Sequence, residues 1–416
     1  MPDQTAAAEQ TDEPLDYGEQ AAHHRRHLLE EVMPFWQART RDSEGGFFTM
    51  IDRAGNLKGQ DKYIWVQARQ TYTFAALHNL IDSSGRWLEL ARHGRDFLVS
   101  HAHAGGGRWH YRLDRTGKVL DSSPSMATDA FALLGLCEHA MASGSTEDAG
   151  LIRETFDAFE RNMRDPWSGG FHHFVLEPLL EYHAPHMLAV NTSSVAAQLL
   201  GAERVRALQD ASIHRILHRF AKDEHEALFE SLDRQGRVVD SPQGMCVNPG
   251  HVLESMWFCM EEGMARADAA IVRRGVQIAD WHYRKARDEL LGGLFAFIHP
   301  SGGEPWLPQV VKDIGENWDS KIWWVHAEAL YAFALCYHLT GDPVWAARYR
   351  ELDSYCRAHF YDQQYGEWYM YLHRDGTPKN TDKGNAYKSA FHIPRALMKL
   401  VDLFEGHAGP EPLAAA

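Results

Sequence analysis

The sequence predicts an all-α protein, built as a closed barrel of six inner and six outer helices with short β-hairpins at one mouth. Two observations lead to this prediction. A motif rich in glycine and aromatic residues recurs six times, and helical segments in pairs separate successive copies. Self-similarity of this kind indicates a repeat architecture in which each unit buries its apolar face against its neighbours.

The repeated motif predicts the hairpins. Copies begin at Gly45, Gly106, Gly169, Leu228, Gly292 and Gly366. Most of them combine glycine, alternating aromatic residues and a D-R-x-G sequence or a relative of it, as in "GGRWHYRLDRTG". Because alternation is typical of extended chain and the D-R-x-G element is typical of a turn, most copies are predicted to be hairpins.

The helical segments are rich in Ala, Leu and aromatic residues. Inner helices are predicted to begin near Ile64, Met126, His186, His251, Trp323 and Lys388. A second helical run follows each, as in "RWLELARHGRDFLVSHA", and the first outer helix is predicted over residues 14–40. No repeat has the distinctly polar outer face that caps an open solenoid, so the array is predicted to close as one domain over residues 14–405. Residues 1–13 and 406–416 are predicted to be disordered tails.

Composition narrows the class of protein. Of 416 residues, 44% are hydrophobic, and the apolar stretches are far shorter than the roughly 18 residues of a membrane span. The net charge of −15 disfavours nucleic acid and anionic membranes as partners and favours a neutral ligand. Five scattered cysteines and a polar amino terminus without a secretory signal predict a cytoplasmic protein without disulfides.

Polar and aromatic residues cluster near the start of five predicted inner helices, so they are expected to converge on one mouth. They are Trp65 and Arg69; His186; His251 and Glu254; His326 and Glu328; and Lys388 and His392. His251, Glu254 and Trp257 follow one another at intervals of three and therefore share a helix face. Tryptophan is also a common platform for sugar rings.

This set of residues suggests acid–base chemistry. Two histidines on opposite sides of a cavity suit proton transfer near neutral pH, because imidazole titrates there. Arg69 keeps its charge and would stabilise a developing oxyanion. Glu254, one turn from His251, is expected to orient that ring or to raise its basicity.

Two other kinds of site are weaker alternatives. The H-x-x-E spacing offers two metal ligands, but no further ligand cluster lies nearby, so no metal is predicted. A glycosidase needs two carboxylates that flank the bond, and the candidates are Asp129, Glu254 and Glu328. The predicted mouth is richer in histidine than in acid, which disfavours that chemistry.

Five segments resemble the N-acylglucosamine 2-epimerase superfamily, which includes N-acyl-D-glucosamine 2-epimerases, cellobiose 2-epimerases and mannose isomerases. They are "DKYIWVQARQTY", "VNPGHVLESMWF", "KIWWVHAEALYA", "GEWYMYLHRDGTP" and "KGNAYKSAFHIPRAL". The resemblance runs from about Gly45 to Leu400. It implies an (α/α)6 barrel and a cofactor-independent isomerase of a free sugar, with a homodimer as a possible assembly.

The resemblance also implies roles for individual residues. By motif position, His392 and His251 match the pair that removes and returns the C2 proton of the open aldehyde through an enediolate. Arg69 matches the arginine that holds the C1 and C2 oxygens, and Glu254 matches the glutamate beside the first histidine. Residues expected to bind the sugar are Trp65, His186, Asn191, Trp257, Trp323, His326, Glu328 and Lys388.

Two segments narrow the range of expected substrates. "IWVQARQ" is closer to the N-acylglucosamine branch than to the mannose isomerases, so an N-acyl-D-glucosamine 2-epimerase is expected. "HAPHMLAVN" departs from that branch and places His186 and Asn191 on the third inner helix. The alternatives are therefore a mannose or glucose 2-epimerase and a ketose-forming isomerase. A protein-binding role without catalysis, as in some relatives, is a further alternative.

Overall fold

The computed structural model describes residues 13–164, 180–306 and 316–412. The repeat copy that begins at Gly169 and the terminal residues 1–12 and 413–416 lie outside the described residues. No helix in the described ranges is long and apolar enough to cross a membrane.

Six inner helices form a closed ring. They are α3 (Ile64–Leu80), α5 (Met126–Ser143), α7 (Ala184–Leu200), α9 (Pro249–Ala265), α11 (Trp323–Thr340) and α13 (His392–Gly406). Each packs on the next, and α13 packs on α3, which closes the ring. The predicted barrel is therefore confirmed.

Outer helices cover the ring. They are α1 (Tyr17–Arg26) and α2 (Met33–Arg39), joined by a π-helical turn, His27–Val32; α4 (Arg86–Phe97), α6 (Ala149–Arg164), α8 (Ala202–His214), α10 (Ala269–Ala286) and α12 (Pro343–His359). Further π-helical turns, Leu98–Ala102 and Arg215–Phe220, extend α4 and α8. Helices α1, α4, α6, α8, α10 and α12 each pack against an inner helix. Since inner helices are surrounded on all sides, α3 is buried continuously from Ile64 to Leu77.

Short strands form the predicted hairpin around the D-R-x-G turn of the second copy and around the H-R-D-G turn of the sixth, and a single bridge between Ile51 and Leu57 closes that of the first. The strands are β1 (Lys62–Tyr63), β2 (His103–Gly105), β3 (Arg108–Trp109), β4 (Arg112–Leu113), β5 (Val119–Asp121), β6 (Leu180–Tyr182), β7 (Ala221–Lys222), β8 (Ala227–Leu228), β9 (Ser231–Asp233), β10 (Lys321–Ile322), β11 (Tyr371–Leu372) and β12 (Pro378–Asn380). All pairs are antiparallel: β1–β4–β5, β10–β11–β12, β2–β3, β6–β9 and β7–β8. The turns close through the glycines at positive φ, as when Gly117 N–H donates to Asp114 O at 3.2 Å.

The hairpins set the mouth of the barrel. Strand β1 runs directly into α3 at Ile64, and β10 runs directly into α11 at Trp323. The amino-terminal ends of the inner helices therefore meet beneath the hairpins. Side chains from different repeats converge there.

Within the described residues, three ionic clamps join the hairpin of one repeat to that of the next. In each clamp, a buried aspartate that precedes the glycine turn of one repeat binds a buried lysine. The same aspartate binds an arginine of the following repeat, which lies in the D-R-x-G turn or in its relative H-R-D-G. The clamps are Asp42 with Lys62 and Arg115, Asp288 with Lys321 and Arg374, and Asp362 with Lys383 and Arg53. The last joins the sixth repeat to the first, with Asp362 Oδ2 at 2.9 Å from Lys383 Nζ and 2.7 Å from Arg53 Nε. It therefore holds the seam of the ring.

Two boundaries differ from the sequence prediction. The sixth inner helix begins at His392 and not near Lys388, because Asn385 Oδ1 accepts the backbone N–H groups of Tyr387 and Lys388, both at 2.7 Å, in a turn. The described part of the predicted carboxy-terminal tail packs on the barrel, since Glu411 N–H donates to His338 O at 2.8 Å.

We expect Asp362→Ala to lower the free energy of unfolding by about 3–5 kcal/mol, because it leaves Lys383 buried without its carboxylate. Urea denaturation measures the loss. The matched control is Glu89→Ala, which removes an exposed partner of Arg41 and should cost at most about 1 kcal/mol. Equal losses in the two variants would show that the clamp does not hold the seam.

Candidate active site

A cavity of about 280 Å³ lies at the mouth, and all six inner helices contribute to its wall. Its lining residues are Trp65, Arg69, Ala127, Phe131, Ala184, Met187, Leu188, Asn191, His251, Glu254, Phe258, Phe297, Trp323, Trp324, Tyr387 and His392. Most of the wall is apolar, with a few polar groups that converge. This is the usual composition of a small-molecule site.

His251 and His392 face this one cavity, from α9 and α13. Both rings pack against Trp324, with ring centroids at 5.2 Å and 5.5 Å from that indole. Trp324 comes this close because Gly250 precedes His251: a Cβ on Gly250 would lie 2.5 Å from the indole. The two imidazoles are thus placed around a shared space, as the sequence predicted.

Arg69 lies in an aromatic cage within the cavity wall. Its guanidinium carbon lies 4.4 Å, 4.0 Å and 4.8 Å from the ring centroids of Trp65, Phe131 and Phe391. Burial lowers the pKa of Arg69 to about 9, with Glu254 acting in the opposite direction. It forms no ion pair with a carboxylate in the described ranges, and its Nε has no hydrogen-bond partner there. Its Nη1 donates to Tyr387 O at 3.5 Å, and no carboxylate in the described ranges neutralises its charge, which can therefore act on a ligand in the cavity.

Glu254 does not hydrogen-bond the ring of His251, so it does not orient that ring; its charge does raise the pKa of His251, as expected. Its carboxylate binds Arg395, which α13 inserts between α9 and α11. Arg395 is buried and also donates from Nη2 to Glu328 Oε1 at 2.7 Å. One guanidinium therefore bridges two buried carboxylates beside the cavity.

Glu328 supports His392 from behind. Its Oε1 lies 2.7 Å from His392 Nδ1, and its Oε2 accepts from Trp257 Nε1 at 2.8 Å. Burial places the pKa of His392 well below its usual value, and Arg69, Arg395 and His251 act in the same direction. His392 is therefore neutral at physiological pH, with Nε2 left for the cavity.

The pKa of His251 is shifted in the opposite direction from that of His392. The Nδ1 atom of His251 lies 3.1 Å from Glu230 Oε2. Burial disfavours the charged ring, but Glu230 outweighs burial and raises the pKa of His251. The cavity therefore holds one imidazole that favours the neutral form and can accept a proton, His392, and one that favours the protonated form and can donate a proton, His251.

Sequence reasoning missed Glu230 because it lies in a hairpin and not on a helix. A signal was present in the repeats. Glu230 lies three residues before Asp233, the first residue of its D-R-x-G turn. At the equivalent position the other described copies carry Thr49, Tyr111, Ala296 and Met370. A carboxylate at that position is unique to the fourth copy among the described ones.

The predicted sugar-binding residues divide into two groups. Trp65, Asn191 and Trp323 line the cavity. His186, Trp257, His326, Glu328 and Lys388 do not. Trp257 and Glu328 instead brace His392, as described above.

The other three have packing roles. His186 lies 3.8 Å from Glu181 and contacts the ring of Phe220. Lys388 is buried, with Nζ at 3.0 Å from Glu367 and donating to Trp368 O at 2.6 Å.

His326 belongs to the repeat and not to the site. Its Nε2 accepts the backbone N–H of Leu294 at 3.0 Å, and its Nδ1 lies 2.8 Å from Ile322 O. Gln67 and Asp129, also fourth in their inner helices, accept the equivalent N–H groups of other copies. In these three copies, this position anchors the hairpin to its inner helix.

The glycosidase alternative loses its carboxylate pair. Asp129 pairs with Arg108 at 2.6 Å, and burial raises the pKa of Asp129 to about 7. Of the three candidates, Glu254 alone lines the cavity.

The metal alternative has a set of candidate ligand atoms in Glu254, Glu328 and His392, which lie within 4.8 Å of one another. The guanidinium of Arg395 already binds both carboxylates, so this donor set is committed to a cation of the protein itself.

We expect Arg395→Met to raise the pKa of His392, because it removes a nearby positive charge and leaves two buried carboxylates uncompensated. Catalysis that needs neutral His392 then falls about tenfold for each pH unit by which that pKa exceeds the assay pH. The acid limb of the pH–rate profile should move to higher pH. Lys399→Met, on the same helix and paired with Glu261, is the control and should leave the limb in place. An unmoved limb in Arg395→Met would contradict this electrostatic role.

Comparisons with known sequences identify one family. The sequence model of the family described as N-acylglucosamine 2-epimerase (GlcNAc 2-epimerase) matches residues 46–396. The N-acylglucosamine 2-epimerase of Rattus norvegicus is 27% identical over 403 residues, which cover 93% of each chain. Among solved structures, a cellobiose 2-epimerase from Bacillus thermoamylovorans B4167 has a TM-score of 0.81 at 16% identity, over 92% of this chain and 99% of its own. A D-mannose isomerase has a TM-score of 0.79 at 19% identity, over 91% and 97%. These structures share the fold of this chain.

Proposed function

Because this chain belongs to the N-acylglucosamine 2-epimerase family, we propose that it is a sugar 2-epimerase that interconverts N-acyl-D-glucosamine and its C2 epimer. One observation carries the proposal. His251 and His392 face one cavity with opposite proton affinities, and Arg69 lies in the same wall without a carboxylate partner. Epimerisation needs this combination of an acid, a base and a fixed positive charge.

The proposed reaction moves two protons and no other group. In the open aldehyde, neutral His392 Nε2 takes the C2 proton, and the C2–H electron pair becomes the C1=C2 bond of an enediolate. Arg69 stabilises the negative oxygen on C1. Protonated His251 then donates to the other face of C2, and the C1 carbonyl forms again. In the reverse direction the histidines exchange roles.

The cavity wall supports an N-acyl monosaccharide. Its volume of about 280 Å³ is near the lower end of the roughly 300–1,000 Å³ range of ligand pockets, which suits one sugar ring better than two. Phe131, Met187 and Leu188 provide apolar surface that an acyl methyl group can bury.

Asn191 favours a second candidate function. Its side chain brings an amide to the same wall, on the helix that departs from the N-acylglucosamine branch. An amide suits a hydroxyl at C2, so a mannose or glucose 2-epimerase is the alternative. A ketose-forming isomerase of the same sugars would use the same pair of histidines but return the proton to C1.

We also propose that the protein acts in the cytoplasm. Its five cysteines are all free and buried. Unpaired cysteines are typical of a reducing compartment.

Incubation with N-acetyl-D-glucosamine in D₂O should incorporate deuterium at C2 as the epimer appears, which proton NMR follows. His251→Gln and His392→Gln should each lower kcat about 10²–10⁴-fold, because each removes one proton-transfer group. His326→Gln is the matched control: it keeps acceptor and donor groups at a buried histidine outside the cavity, and it should retain activity. Turnover without deuterium at C2 would contradict exchange through solvent-accessible imidazoles.

A panel of N-acetylglucosamine, mannose, glucose and cellobiose separates the candidate substrates. We expect the highest kcat/KM with N-acetylglucosamine and the lowest with cellobiose, because the cavity is apolar and small. Chromatography identifies the products. A ketose from mannose as the main product would assign the isomerase alternative.

A further inference from the structure

We propose that Glu230 is a positioning residue that keeps His251 in its protonated, proton-donating form in the resting site. Neither Glu254 nor Glu328 performs this role. The catalytic consequence rests on the proposed function, whereas the state of the His251 ring does not.

Glu230 reaches the site from a fixed piece of backbone. It lies between β8 and β9, and β9 is paired with β6. Its carbonyl oxygen accepts the backbone N–H of His183 at 2.9 Å. Its carboxylate also accepts the backbone N–H of Asn248, the amino-terminal cap of α9. The strand pairing and these two hydrogen bonds therefore fix Glu230, whose Oε2 lies 3.1 Å from His251 Nδ1.

The three carboxylates near the histidines differ in their partners. Glu254 and Glu328 share Arg395, so one positive charge partly compensates two negative charges. Glu230 has no lysine or arginine partner in the described ranges. Its second oxygen lies 4.0 Å from His183 Nδ1.

His183 does not take the charge of Glu230. It is fully buried, and its Nε2 lies 2.8 Å from Ser255 Oγ. Burial lowers the pKa of His183 to about 3, so the ring stays neutral at physiological pH. The negative charge of Glu230 therefore acts on His251.

The other groups around His251 do not reverse this balance. Glu254 also favours the charged ring, Arg69 opposes it, and His392 is neutral. Although His392 has a shorter bond to its carboxylate, at 2.7 Å against 3.1 Å, its pKa is lowered and not raised. The carboxylate behind His392 also binds an arginine, whereas the carboxylate behind His251 does not within the described residues.

This asymmetry has a consequence for turnover. Delivery of a proton to C2 leaves His251 neutral beside an anionic carboxylate. Glu230 then favours return of a proton from solvent to the ring, which restores the donor for the next cycle. Without that charge, burial and Arg69 would favour a neutral His251 ring, as they favour a neutral His392 ring.

The test is Glu230→Gln, which keeps a carbonyl oxygen for the hydrogen bond and removes the charge. We expect the basic limb of the kcat profile, where His251 loses its proton, to move to lower pH by about one pH unit or more. At a pH above the displaced limb, kcat should fall about tenfold for each pH unit by which the limb has moved. KM should change little, because Glu230 does not line the cavity.

Glu226→Gln is the matched control. This residue lies on the same hairpin, is exposed and pairs with Arg284, so the profile should stay in place. Loss of thermal stability in Glu230→Gln with an unmoved basic limb would assign Glu230 a structural role and overturn the proposal.

A titration of the wild-type protein tests the same point without turnover or mutation of Glu230. Proton NMR resolves the ring C2–H signals, and His251→Gln and His392→Gln assign them. His251 should titrate above pH 6.5 and His392 far below it. The opposite order would overturn the proposal even if the protein epimerises sugars. The expected order without C2 exchange on any sugar would instead reject the proposed function.

Discussion

The guanidinium of Arg395 lies between the carboxylates of Glu254 and Glu328, and the site depends on this contact. Two unpaired carboxylates buried this close together would repel each other or take up protons, because an ion without a partner is costly to bury. With the arginine in place, both carboxylates have a buried partner, and the helices α9, α11 and α13 are tied together at the cavity. Glu328 can then hold the ring of His392 without charging it, which keeps that imidazole a base.

Much of the fold was predictable because the repeat is written in the sequence. The copies at Gly45, Gly106 and Gly366 place glycine where the turns adopt positive φ, and apolar segments of helical length follow. Closure followed from the absence of a polar capping repeat. The shared cavity of His251 and His392 followed too, because equivalent ends of helices in a ring must meet.

Side-chain partners were less predictable, because spacing along a helix gives the face and not the direction of a side chain. Glu254 shares a face with His251, yet it binds Arg395, while a hairpin supplies Glu230 from outside the helix. His326 was misassigned for a related reason. Its position in the repeat anchors a hairpin in several copies, and aligning the copies against each other would have separated this recurring role from the residues specific to the site.

The arrangement of charge explains how an apolar cavity can support an enediolate. Proton transfer from a neutral sugar creates two charges at once, and both would be costly in a wall of aromatic rings. In the proposed reaction the anion would form beside Arg69, which is caged by three aromatic rings and has no carboxylate ion-pair partner among the described residues. The cation would form on His392, whose ring lies against Glu328 and whose charged form Glu254 also favours. Groups that folding has already placed and desolvated would then stabilise both charges, so little reorganisation would be needed at the moment of transfer.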